Sequence, residues 1–181
     1  MIGYVCKYTP VEVFEAMGVE IGRIQPEVTN FNQADTLMHP NICSFTKSVL
    51  EDVLAGDYEG VVLTTCCDSI RRLYDVLKQQ CPDKFLYLLD VPRKVNDFST
   101  DMYRKNILDM VHAYEAFSGK TFDEIVLKQL LERREAGQNL RTAPKNNASV
   151  HIGLMGARCS KGIIDLLENL SLIHISEPTR Q

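Results

Sequence analysis

Two short apolar runs constrain this chain more than anything else in it. Gly60-Val61-Val62-Leu63 and Phe85-Leu86-Tyr87-Leu88-Leu89 lack the polar alternation of a half-exposed strand. Unbroken runs of this kind suit strands of a parallel sheet that is covered on both faces. Helical patterns separate them from each other and from their neighbours. Ile2 to Val5 reads as a first buried strand, and Thr9-Pro10-Val11-Glu12 as a capping box opening a helix that stops at Gly18. Val19 to Ile24 reads as a second strand, followed by a polar loop over residues 25–39. Ile42, Phe45, Val49, Leu50, Val53 and Leu54 stripe one face of a helix ending at Gly56. The third strand runs to Thr65, and Asp68 is the expected N-cap of a helix with Ile70, Leu73, Tyr74 and Leu77 inside. Strand alternating with helix predicts an α/β fold, a parallel sheet of Rossmann or flavodoxin-like type flanked by helices.

Beyond the strand at 85–89 the pattern turns helical. Met102, Tyr103, Ile107, Leu108, Val111 and Tyr114 stripe a helix that ends at Gly119. Thr121-Phe122-Asp123-Glu124 is a second capping box, opening a helix to about Ala136. Residues 1–137 therefore read as one α/β domain with a helical extension over about 97–136, and 138–148 as a linker. Residues 149–169 read as the first β-α unit of a second, similar domain that the chain is expected to enter and not complete. The tail 170–181, with LSLIHISEPTR from Leu170, resembles the translation of a sequencing-library adaptor, is expected to be foreign and is set aside.

Composition narrows the function classes. The net charge is −4 and no basic block occurs, which argues against nucleic acid as a partner. No apolar run approaches the roughly 20 residues that span a bilayer. Met1 to Val5 is too short for a signal peptide. With no secretion signal and six scattered cysteines, a reducing compartment and a cytoplasmic location are expected. No C-x-x-C occurs, so neither zinc-ribbon nor thioredoxin spacing is present.

The chemistry should lie at the carboxyl ends of the strands, where open α/β sheets bind ligands. Cys6 follows the first strand, Cys43 opens the helix after the long loop, Cys67 and Asp68 follow the third strand, and Asp90 and Arg93 follow the fourth. A cysteine at a helix N-terminus has its thiolate, the metal-binding form, stabilised by the helix dipole. Cys43 and Cys67 both meet that description. Two rim thiolates suit an iron–sulfur cluster but are too few to complete one. A zinc site, or a non-catalytic α/β module whose cysteines only pack, are the alternatives from residues alone. Cys66 is expected to be buried as a small hydrophobe, and Cys81 to be structural at the opposite rim. Cys159 reads as a packing residue in a β-α turn, His39 as an exposed loop histidine and Arg71-Arg72 as a solvated face. Arg93 is the better anion candidate. Gly153-Leu154-Met155-Gly156-Ala157 lacks both phosphate-loop and dinucleotide patterns.

Four segments in order, GYVCKYTPVEVFEAMG, PNICSFTKSVLEDVLAG, TTCCDSIRRLYDVL and LLDVPRK, resemble the 2-hydroxyacyl-CoA dehydratase family, which also holds the benzoyl-CoA reductase subunits. The likeness covers residues 1 to about 135. It implies that Cys43 and Cys67 are [4Fe-4S] ligands, with a third ligand outside this chain. Cys6, Asp68 and Arg93, from their places on the rim, are expected to be substrate or supporting residues, and Cys6, in a motif frequent in the family, is not assigned as a ligand. The implied activity is dehydration of an (R)-2-hydroxyacyl-CoA through a ketyl radical. ATP enters only through a separate activator protein, and a homologous sister subunit completes the enzyme. This chain by itself would be inactive. A benzoyl-CoA reductase-like or double-cubane-cluster reductase is the alternative within the family.

Overall fold

A computed structural model of the protein describes residues 1–28 and 30–138, and beyond these 151–153, 162, 163, 165, 166 and 173–175. The chain divides into two compact units, Met1–Ala136 and Gly137–Gln181.

The first unit is built on four strands, β1 (Ile2–Tyr4), β2 (Ile21–Arg23), β3 (Gly60–Thr64) and β4 (Phe85–Leu89). They form one all-parallel sheet in the order β2-β1-β3-β4. Six helices follow or connect them: α1 (Val11–Ala16), α2 (Asn32–Leu37), α3 (Ser44–Ala55), α4 (Asp68–Gln80), α5 (Asp97–Ser118) and α6 (Glu124–Gln138). The period of two along the strands sorts their side chains between two cores. Val61 and Leu63 pack with Val49, Leu50 and Val53 of α3 and Ile70, Leu73 and Leu77 of α4. Ile2, Val62, Phe85 and Leu89 pack with Phe14 of α1 and Met110 and Tyr114 of α5. Every residue of β3 is buried, as a central strand between two helical layers requires.

Several local expectations are corrected. The stretch 25–39 is not all loop, because α2 lies within it. Its N-terminal N–H groups are satisfied from α3: Gln33 N and Ala34 N donate to Glu51 Oε1 at 2.7 and 2.8 Å. Lys47, one turn before Glu51, bonds Asp35 at 2.7 Å. Nothing local in residues 25–39 signals a cap supplied by another helix. The capping box at Thr9 does not form; Pro10 holds the N-cap position and no side chain caps α1. Glu12 instead pairs with Arg134 of α6 at 2.5 Å, and Arg134 also reaches Glu15. At α6 the cap is Asp123, whose Oδ1 accepts from Ile125 N at 2.8 Å, rather than Thr121. On α5, Met102 and Leu108 are exposed while Met110 is buried, since the helix turns its 110–114 stretch to the sheet.

In the second unit, β5 (His151–Gly153) pairs in parallel with β6 (Ile173–Ile175). The latter three residues belong to the tail set aside above; their pairing is a matter of conformation and says nothing of their origin. Most of the expected linker, Cys159 and residues 154–157 of the glycine turn lie outside the described residues. Among the described residues no helix is long and apolar enough to cross a membrane.

Candidate functional site

The chain leaves β1 for β2 on one side of the sheet, then returns past β1 to β3 on the other. The crevice outside the carboxyl ends of β1 and β3 is therefore the topological switch point, the ligand position of doubly wound sheets. The residues that follow these two strands include three of the chain's thiols: Cys6 after β1, and Cys66 and Cys67 after β3.

Local structure places the other functional groups on the same rim. Cys43 is the N-cap of α3, with an extended backbone that turns the chain into the helix. Cys67, not Asp68, is the N-cap of α4, and Asp68 is the first helical residue. Asp68 thereby puts its charge in the first turn, where the helix dipole favours it. Cys43, Cys66 and Cys67 are all exposed. For Cys66 this overturns the expectation of burial: β3 ends at Thr64, and past the buried Thr65 the chain turns out to solvent. Cys81 is buried at the C-terminal end of α4, as expected of a structural thiol.

Cys43 and the start of α4 meet. The Cys43 sulfur lies 3.1 Å from Thr46 Oγ1, one helical turn along α3. The Ser69 side chain, two residues after Cys67, lies near enough to that sulfur to favour its thiolate. Partial burial, the largest single influence, works against the Cys43 thiolate. The Thr46 hydroxyl and N–H, the Ser69 hydroxyl and the Phe45 N–H outweigh it, so the thiol ionises below its usual range. Two sulfur-bearing helix starts, far apart in sequence, thus converge on one side of the rim.

A second juxtaposition was not expected. The Cys6 and Cys66 side chains lie close enough across the switch point to influence each other's ionisation. Cys66 draws the Cys6 thiol down to about 5, and Cys6 in turn pushes the Cys66 thiol well up. The loop bearing Cys6 is held from two sides, with Thr9 N donating to Cys6 O at 3.0 Å and Tyr103 Oη of α5 donating to Tyr8 O at 2.6 Å.

Asp90 is engaged in the scaffold. Its Oδ1 accepts from Thr65 Oγ1 at 2.5 Å, and Thr65 Oγ1 accepts in turn from Val91 N at 3.1 Å. This stitch joins the exits of β3 and β4 and fixes the base of the Cys66-Cys67 turn. Arg93 is exposed on the same rim, beyond β4. His39 lies in a turn, its Nδ1 accepting from Asn41 N at 3.2 Å. Sequence reasoning missed Thr46, Thr65 and Ser69. The spacing Cys43-x-x-Thr46 puts both side chains on one helix face and was a readable signal. Neither Thr65 nor Ser69 carries one, since their partners come from other elements. Among the described residues no set of three or more His, Cys, Asp or Glu side chains is placed to hold a metal ion.

Comparison with known proteins gives two findings. The family profile of the 2-hydroxyglutaryl-CoA dehydratase D-component matches residues 6–150. A (R)-phenyllactyl-CoA dehydratase beta subunit from Clostridium sporogenes is 27% identical over 139 residues, which is 72% of this chain and 36% of that protein. The chain thus spans little more than a third of the length of that relative.

Proposed function

The chain belongs to the family of the 2-hydroxyglutaryl-CoA dehydratase D-component, and from that premise we propose that it is part of a 2-hydroxyacyl-CoA dehydratase subunit in which Cys43 and Cys67 hold an iron–sulfur cluster. The observation that supports the reading is the nearness of Ser69, two residues after Cys67, to the Cys43 sulfur. Both cysteines are exposed and hold N-cap positions, Cys43 of α3 and Cys67 of α4. The donor set suits the group: the thiolates are soft ligands, and the Thr46 and Ser69 hydroxyls favour the ionised sulfur. Remaining ligands come from outside the described residues. Cys43 and Cys67 would hold a [4Fe-4S] cluster, which would supply one-electron chemistry toward an acyl-CoA thioester carbonyl.

The chain's own residues hold and orient. The Thr65–Asp90 stitch keeps the Cys67 turn in place. Arg93, on the same rim, binds an anionic part of the acyl-CoA. Asp68 and Cys6, on the same rim, would contact or support the substrate. The partners proposed are a homologous sister subunit, in line with the subunit name of the Clostridium relative, and a separate ATP-hydrolysing activator that delivers the electron.

Anaerobic incubation of the protein with ferrous iron, sulfide and a small thiol tests the ligand assignment. Iron and sulfide should bind in equal amounts with a broad visible charge-transfer absorption, and both Cys43→Ser and Cys67→Ser should abolish it. Unchanged iron loading in Cys67→Ser overturns the assignment. Colourless metal uptake, with zinc replacing iron, points to the zinc alternative.

A further inference from the structure

Thr46 is fully buried in the first turn of α3, and its Oγ1 lies 3.1 Å from the Cys43 sulfur. Among the described residues this hydroxyl has no other hydrogen-bond partner. Ser48, two residues on, takes the ordinary course of a helical hydroxyl: its Oγ donates to Ser44 O, four residues back, at 3.0 Å. Thr46 departs from that course, and the N-cap sulfur, three residues before it on the same helix face, takes the place of the carbonyl. Burial keeps water from standing in for the hydroxyl. A hydrogen bond to a charged group is stronger than a neutral one, and more so where the local dielectric is low.

In the free thiol either atom can donate. A sulfur bound to iron is a thiolate with no proton to give, so in the loaded protein the Thr46 hydroxyl is the donor. Reduction adds one negative charge to a cluster and its sulfur ligands. A donor held against one of those sulfurs therefore stabilises the reduced state more than the oxidised one, and hydrogen bonds to sulfur are among the levers that set cluster potentials. Resting on the cluster reading above, we infer that Thr46 is a positioning residue whose hydroxyl raises the reduction potential of the cluster held at Cys43. The couple is the uptake of one electron from an external reductant. No bond to Thr46 forms or breaks, and its proton stays on the hydroxyl.

The protein, loaded with iron and sulfide as above, is titrated anaerobically with dithionite and mediator dyes while its visible absorption is followed. Thr46→Val keeps the shape of the side chain and removes the donor. Its potential should fall by about 59 mV, tenfold in a one-electron equilibrium. Thr46→Ser restores a hydroxyl and should stay near the wild-type potential. Ser48→Ala removes a hydroxyl of the same helix that bonds only backbone, and should leave the potential unmoved. Iron loading should be equal in all four proteins. An unchanged potential in Thr46→Val, or an equal fall in Ser48→Ala, overturns the inference while the cluster reading stands. Loss of iron loading in Thr46→Val makes the residue structural and overturns it too. A wild-type protein that assembles no cluster overturns the cluster reading itself, and this inference with it.

Discussion

The two edges of the four-stranded parallel sheet are put to opposite uses. At the amino edge, side chains close the structure. Phe85 at the start of β4 stacks edge-on with Tyr114, ring centroids 4.9 Å apart, and Phe14 meets the same tyrosine at 5.2 Å. Tyr114 Oη donates to Glu59 at 3.1 Å, Tyr58 Oη donates to Asp52 at 2.6 Å and Lys84 Nζ donates to Tyr58 O at 2.6 Å. Gly60 leaves no room for a side chain, since an added Cβ would lie 2.4 Å from Phe85 O. The thiol at this edge, Cys81, is buried. At the carboxyl edge, by contrast, Cys43, Cys66 and Cys67 are exposed, and the helices there begin rather than end. Helix N-termini present unbonded N–H groups and favour anionic groups, thiolates among them. An edge of this kind serves binding, while the opposite edge carries the aromatic packing that makes it affordable in stability.

The contrast can be broken first at the amino edge. Tyr114→Ala removes a fully buried ring from the α1–α5 core and leaves Glu59 without its phenol donor. A loss of about 3–5 kcal/mol is expected in urea unfolding, a large share of the roughly 5–15 kcal/mol that holds an ordinary domain. Alkaline titration probes the same edge. Burial first, then hydrogen bonding to Asp52 and Glu59 respectively, pushes Tyr58 and Tyr114 up to about 12. The neutral phenols are thus favoured in the fold relative to an unfolded value of 10.0. Their contribution is complete below pH 10 and is lost as pH rises from there through about 12. Phenolate absorption recorded with circular dichroism should show Tyr58 and Tyr114 among the late-ionising tyrosines, with Tyr87 and Tyr103 also raised by burial, together with unfolding.

At the carboxyl edge the effects should be smaller. Thr65→Val keeps the shape of a buried side chain but unpairs Asp90 and Val91 N. It should cost about 1–2 kcal/mol and weaken iron loading, because the turn beneath Cys67 loses its tether. Cys67→Ser should change unfolding stability by less than about 0.5 kcal/mol, while abolishing the cluster absorption. A Cys67→Ser protein as unstable as Tyr114→Ala would erase the distinction between the two edges.

Much of the fold was readable residue by residue. The unbroken run Phe85–Leu89 marked β4 with its exact bounds, because a strand between two layers must be apolar throughout. Gly119 marked the end of α5, where the backbone takes φ +70, a conformation that other side chains disfavour. Ile70, Leu73 and Leu77 marked the buried face of α4 through their spacing. Cys43 was placed correctly at the start of α3 for the same local reasons.

What sequence alone determined, then, was whatever depends on a residue and its near neighbours along the chain: which segments are strands or helices, which faces are apolar, and which loops share the carboxyl rim. Tertiary structure decided the meetings between segments. Glu51 shapes α2 from another helix, Ser69 reaches Cys43 from α4, and Cys66 lies in the open beside Cys6. Periodicity reports which way a side chain faces relative to its own element. It holds no record of the strand order that sets β1 beside β3, and that order brought these thiols together.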